Sequence, residues 1–247
     1  DDHYNYHAAQ DDSKHLNKNT LEHQGTYLMP LLHYFANADF DATVSKEDYA
    51  YFTIPFTFIS YPFSWIVPMV LIVLVLFLLL VFIGVGKRIL SFREIGKGFI
   101  PLLGATITSG IVVFFGWKLM LNLYPQYNDL LNGFTYNGYS YIAAFVSLTV
   151  AICLSFYQLF SDQKRTMSHY VAPLLIWILI NGGIALFLKG AGFLIIPVFF
   201  GLIAFGFFVF TQRSYTVVNL LCSLPALLII APFIQMFPIG LGLKVLF

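Results

Sequence analysis

Six long runs of apolar residues follow one another between residue 64 and the end of the chain, separated by short polar segments. Each run is about as long as the roughly 20 apolar residues that a helix needs to cross a bilayer. The runs are continuous, whereas the strands of an outer-membrane barrel alternate apolar and polar positions over about 10 residues. The pattern therefore predicts a mostly α protein, a polytopic membrane bundle of about six spans. The spans are predicted near 64–86, 99–121, 141–160, 170–188, 193–210 and 216–236.

The first 48 residues are polar and contain one amphipathic segment. A helix is predicted to begin near Asn19 or Thr20, because Glu22 follows Asn19 at the spacing of a capping box. Apolar residues then recur at helical spacing, so one face of this helix must be buried. A single helix cannot bury that face alone. It must pack on the membrane part or on a domain upstream of Asp1, and the upstream domain is the simpler expectation. The apolar residues are Leu21, Leu28, Leu31, Leu32 and Phe35.

Residues 49–63 connect these two parts and are rich in aromatic residues interrupted by prolines. Aromatic side chains are common at the membrane–water interface, where one edge of the ring is wet and the rest is apolar. We therefore expect an interfacial connector, part of it extended, that leads into a transmembrane domain over 64–247.

Composition agrees with the pattern, since 59% of the residues are apolar and 10% are charged. A water-soluble domain of this length does not have such a composition. The lipid bilayer is therefore the first predicted partner. A formal net charge of +1 excludes a strongly basic face, and with it nucleic acid as a partner. Cys153 and Cys222 both lie in apolar stretches, which excludes a disulfide framework.

The distribution of lysine and arginine predicts the orientation of the spans. Short cytoplasmic loops retain positive charge, and the loops after spans one, three and five hold seven of these residues, against three on the other side. The seven are Lys87, Arg88, Arg93, Lys97, Lys164, Arg165 and Arg213, and the three are Lys118, Lys189 and Lys244. Residues 1–63 are therefore expected outside the cytoplasm, in the periplasm of a bacterium or the lumen of a eukaryotic compartment.

A run of Tyr6, His7 and Asp11 has the form Tyr-His-x-x-x-Asp. An imidazole in a loop next to a carboxylate is suited to zinc, because the carboxylate can fix its tautomer. By spacing alone, a histidine of a surface loop is the more common case. His3 and His7 would form a zinc pair on one helix face, but the residues around them do not favour a helix. His15 and His23 are expected to be solvated or to cap helices, and His33 to lie on the polar face of the amphipathic helix.

The segment from Tyr4 to Asn37 resembles the C-terminal end of the peptidase domain of metallopeptidase family twenty-eight. The resemblance is carried by Tyr6-His7-Ala8-Ala9-Gln10-Asp11, Leu21, Gln24-Gly25 and Leu31-Leu32-His33-Tyr34-Phe35-Ala36-Asn37. Tyr51-Phe52 and Tyr61-Pro62 are similar to the connector of the family's membrane-bound branch, which has endoplasmic reticulum and bacterial members. Ala8 and Asp12 depart from the family pattern, in which Thr or Ser is usual at the first position and Thr at the second.

The resemblance implies an α/β peptidase domain with two zinc ions and aminopeptidase activity. It makes His7 the last of five zinc ligands, and the other four ligands and the catalytic glutamate would precede Asp1. The chain is then the membrane-anchored part of a zinc-dependent exopeptidase, inactive alone, whose peptide substrate binds the upstream domain. A second copy of the chain is a further candidate partner.

The alternative is a multi-span transporter or channel without peptidase activity. Ionisable groups at membrane depth usually mark ion or substrate paths. Because Glu94, Asp129 and Asp162 are all expected in loops, no carboxylate is predicted within a span. This argues against carboxylate-coupled transport.

Overall fold

The structure is a computed structural model that describes residues 9–160 and 166–246, apart from the side chains of residues 42, 43 and 166. In these ranges the chain is mainly helical and contains one small antiparallel sheet. The helices are α1 (Lys18–Asn37), α2 (Phe40–Thr43), α3 (Ile66–Gly86), α4 (Phe92–Leu123), α5 (Gly138–Phe160), α6 (Thr166–His169), α7 (Val171–Phe187), α8 (Ile195–Thr211) and α9 (Thr216–Leu241).

Within the described ranges, six helices are long and apolar enough to cross a membrane, which confirms the predicted number of spans. They are α3, α4, α5, α7, α8 and α9, some of them lengthened by a short helical turn. Two bounds differ from the prediction by five residues or more. α4 begins at Phe92 rather than near 99, because an amphipathic turn with an acidic residue is favourable at a helix N-terminus. α9 continues to Leu241 rather than ending near 236, and its helix includes Pro238.

The connector between the polar segment and α3 is a β-hairpin. β1 (Tyr49–Ile54) pairs antiparallel with β2 (Thr57–Pro62), and the register places Ala50 opposite Tyr61. These two residues are the buried positions of the two strands. Phe56 in the turn has a φ of 73° and is fully exposed. The extended connector expected from the sequence thus takes the form of a hairpin with one buried pair.

One end of the bundle, called here the hairpin end, carries the β-hairpin. The ring of Phe52 in β1 lies 5.4 Å from that of Phe193 in the turn between α7 and α8. The backbone N–H of Leu243, after α9, donates to the carbonyl of Gly133 in the α4–α5 loop at 3.0 Å. The hairpin, both of these loops and the chain after α9 therefore meet at one end.

The opposite end, called here the basic end, carries the other loops. Lys87, after α3, places its Nζ atom 5.1 Å from the centre of the Phe210 ring near the end of α8. Near the start of α4, Gly98 packs against the backbone of His169 in α6. The six long helices thus cross the bundle in alternating directions, as six successive membrane spans require.

Two groups of buried side chains hold the bundle together. The larger lies between α3, α7 and α8 and includes Val73, Ile178 and Phe205. The smaller lies between α4, α5 and the C-terminal turn and includes Trp117 and Leu243. Many leucines on the outer faces of the long helices are exposed, as expected for side chains that contact lipid.

α1 contrasts with these helices, because none of its residues is buried. Its N-cap is Asn17, whose Oδ1 atom accepts hydrogen bonds from the backbone N–H groups of Asn19 at 3.0 Å and Thr20 at 3.2 Å. Because α1 begins at Lys18, the predicted start at Asn19 or Thr20 was one to two residues late. The earlier asparagine caps the helix without the glutamate of a capping box.

Candidate functional site

The predicted zinc ligand His7 and its neighbour Tyr6 lie outside the described residues, and Asp11 lies just inside them. Among the residues that the structure describes, no group of three or more His, Cys, Asp or Glu side chains could hold a metal ion. The metal-binding side chains of the described residues therefore do not form a complete metal site. A zinc site that uses His7 needs ligands from elsewhere.

The loop that follows the His7 segment is a hydrogen-bonded turn centred on Asp12. Its Oδ1 atom accepts from the backbone N–H groups of Lys14 at 2.9 Å and His15 at 3.1 Å. The same atom lies 2.8 Å from Nδ1 of His15. The side-chain hydrogen bond with His15 is the main cause that lowers the pKa of Asp12. His15 is exposed and supports this turn.

α1 presents an apolar face to the outside. Leu28 and Leu32, one helical turn apart, are each 64% exposed. Leu21, Leu31 and Phe35 of the predicted face are exposed as well. A single helix was not expected to bury its own apolar face, and these exposures are consistent with that. In the described part of the chain, no membrane helix covers this face.

The histidines of α1 are not drawn together. His23 pairs with Tyr27 on the same helix, with 3.1 Å between Nε2 and the tyrosine hydroxyl. His33 is exposed, and its carbonyl accepts a hydrogen bond from Asn37 at 2.9 Å. Both histidines are exposed, as expected for a solvated residue and for a residue on the polar face of the helix.

Glu94 corrects one sequence expectation, because it lies in the first turn of α4 and not in a loop. Its side chain is buried, and Oε1 lies 3.0 Å from Nζ of Lys97. The prediction was wrong because the helix extends beyond its apolar run. Of the other two carboxylates, Asp129 lies in the 3-10 turn after α4 and Asp162 lies outside the described residues. Glu94 sits at the basic end with a cation beside it, not at mid-span.

Polar groups inside the bundle mostly bond locally. Asn181 of α7 is buried and donates to the carbonyl of Trp177 one turn earlier at 2.9 Å, while its Oδ1 atom has no partner among the described residues. Asn219 donates to the hydroxyl of Ser214 at 2.9 Å. The first bond lies within α7 and the second joins α9 to the turn before it, so neither links two helices.

A groove between α8 and α9 was not anticipated from the sequence. Its wider part is a cavity of about 400 Å³ that begins at the α8–α9 turn. A narrower part of about 160 Å³ continues it along α7. Tyr170, Pro197, Gly201 and Ala226 line both parts. The small residues on α8 and α9 were a signal in the sequence, but small residues also serve close helix packing.

Comparisons of the chain with protein-family models, with curated proteins and with solved structures found no match in any of the three.

Proposed function

We propose that the chain is the membrane-anchoring part of a zinc-dependent exopeptidase of the aminopeptidase type. In this proposal the six long helices hold the enzyme in the bilayer. The segment before the hairpin belongs to a peptidase domain outside the cytoplasm, and His7 is a zinc ligand there. The sequence resemblance between Tyr4 and Asn37 supplies the activity class.

The observation that carries the proposal is the uncovered apolar face of α1. α1 is a 20-residue helix with no buried residue, whereas most of the stability of a helix in a protein comes from packing of its amphipathic face. Covering a leucine is worth about 1.5–3 kcal/mol, so a helix with several exposed leucines is expected to pack on another folded part. A peptidase domain whose last helix is α1 provides that part.

The hydrogen-bonded turn supports the same assignment. Asp12 and His15 fix the chain immediately before Asn17 caps α1, so the His7 loop would be held close to the start of this helix. A ligand loop on a rigid support binds metal more tightly, because less conformational freedom is lost on binding.

In such a site His7 would bind zinc through a neutral imidazole nitrogen, and Asp11 would accept the other ring N–H and fix the tautomer. Bound zinc ions would supply Lewis acidity and a hydroxide nucleophile for amide hydrolysis. His7 alone cannot hold two ions. The chain by itself is therefore expected to show no peptidase activity and no tight zinc binding.

The test uses the intact protein with its upstream domain. His7→Ala should lower zinc occupancy and turnover of an aminoacyl-amide substrate by more than about 100-fold, since loss of a supporting residue around a metal alone costs about 10–100-fold. His33→Ala is the matched control, because His33 is an exposed histidine on α1. Metal content by mass spectrometry and the initial rate are measured for both. Full activity of His7→Ala would overturn the proposal.

A further inference from the structure

The groove between α8 and α9 is polar at one end only. Arg213, Ser214, Tyr215 and Asn219 line the wide part where it meets the basic end. The narrow part is lined by apolar residues and the tyrosine that it shares with the wide part. Its apolar residues include Leu174, Trp177, Val198 and Ile230. A ligand that fits both ends must itself be amphiphilic.

The polar end favours an anion. Among the described residues, no aspartate or glutamate lines either part of the groove. The ion pairs found in the described ranges join Lys97 to Glu94 and His15 to Asp12, so the Arg213 guanidinium is not in one of them. An arginine binds a phosphate through two parallel hydrogen bonds. Ser214 and Tyr215, which follow Arg213 in the chain and also line the groove, carry hydroxyl donors.

The backbone holds Arg213 at the mouth of the groove. Gln212 ends α8 in a left-handed conformation with φ 56°, and its N–H donates to the Phe208 carbonyl at 2.7 Å. The N–H of Arg213 donates to the Thr211 hydroxyl at 3.3 Å. The turn between the two packed helices therefore places Arg213 at the end of both spans, at the level expected for lipid head groups.

The length of the groove matches one leaflet. From Thr216 at the start of α9 to Ile230 at the far end, a helix rises about 21 Å at 1.5 Å per residue. One leaflet with its head-group region contributes about 20–22 Å, half of a bilayer of about 40–45 Å, and about 15 Å of this is hydrocarbon. The narrow part therefore lies at the depth of an acyl chain whose head group is at the basic end.

We propose that this groove binds one anionic phospholipid from the leaflet at the basic end. Its phosphate lies on Arg213, and one acyl chain lies between α8 and α9, past Gly201 and Ala226. This inference is independent of the peptidase proposal, because it uses neither His7 nor α1.

The experiment measures lipid retention by the purified full chain with native mass spectrometry. The probes are phosphatidylglycerol and phosphatidylcholine with the same acyl chains, added in equal amounts. We expect one phosphatidylglycerol to be retained in preference to phosphatidylcholine. Arg213→Ala should weaken phosphatidylglycerol binding about fivefold, because a basic residue near an anionic lipid contributes about 1 kcal/mol. Equal retention of the two lipids would overturn the proposal.

Arg93→Ala is the matched control for charge, since Arg93 is exposed at the same end of the bundle and does not line the groove. Ala226→Phe should displace the acyl chain and lower retention of both lipids at this site. Ala144→Phe, on an exposed position of α5, should not. Equal losses in Arg213→Ala and Arg93→Ala would show only general attraction to a basic surface. Unchanged retention in Ala226→Phe, with an unchanged melting temperature, would place the lipid elsewhere. Either result refutes the proposal.

Discussion

The contact between α4 and α6 gives a prediction in which two glycines of one helix act as test and control. A Cβ atom added at Gly98 would lie 2.7 Å from the Cα atom of His169 and 3.1 Å from its carbonyl oxygen. A Cβ atom added at Gly96, on the same helix, would meet nothing within 4 Å. Gly98→Ala should therefore destabilise the bundle, and Gly96→Ala should not.

The magnitude follows from two opposing effects. Replacing glycine by alanine within a helix stabilises it by about 0.5–1 kcal/mol, and this gain is common to both variants, so it cancels in their difference. Overpacking at Gly98 costs about 1–3 kcal/mol, and backbone atoms cannot rotate away as a side chain can. The free energies of unfolding of the two variants should differ by that overpacking cost. For a chain of this size, this corresponds to about 2–12 °C in melting temperature.

The assay is thermal unfolding of the detergent-solubilised protein, followed by far-ultraviolet circular dichroism. Gly96→Ala should melt at or slightly above the temperature of the unmodified protein, and Gly98→Ala below it. If both variants melt at the same temperature, the close contact between α4 and His169 does not exist as described.

Two further predictions concern the pKa of Tyr61 in the hairpin and the orientation of the spans. Burial raises the pKa of Tyr61 to about 12 from the ordinary 10.0, so between these values the unfolded chain loses a proton that the folded chain keeps. Stability should fall as pH rises through this window, and unfolding measurements should show a smaller fall in Tyr61→Phe. In a chain that lacks its two native cysteines and is expressed in a bacterial inner membrane, Ser45→Cys should react with an impermeant maleimide on intact cells, and Ser91→Cys only after permeabilisation. The reverse labelling would refute the orientation.

Sequence reasoning predicted the spans well, for a physical reason. The hydrocarbon core requires a continuous apolar helix of fixed minimum length, and few other structures satisfy that requirement. The predictions were less accurate at helix ends, because hydropathy does not determine the residue at which a helix begins. Asn17 competed with the later Asn19 as the cap, and the position of Glu94 depended on whether α4 continued beyond its apolar run.

The sites were less predictable than the spans. The groove depends on how α8 and α9 are spaced, and Gly201 or Ala226 could equally have closed that space by allowing a tighter approach. The hairpin pair of Ala50 and Tyr61 depends on register, which the aromatic connector did not specify. The assignment of a zinc site depends on His7, and this residue lies outside the described ranges. It stays a prediction for the intact protein.

Exposed leucines have different meanings in the two parts of this chain. Leu71 and Leu79 of α3 are more than half exposed, but lipid can cover them, and their exposure needs no protein partner. Leu28 and Leu32 are exposed to a similar degree on a helix that also carries charged and polar residues and is followed by an acidic segment before the hairpin. Such a helix favours water, where uncovered leucines are costly. The apolar face that calls for a protein partner is therefore on α1, and a peptidase domain is the partner that the neighbouring His7 motif predicts.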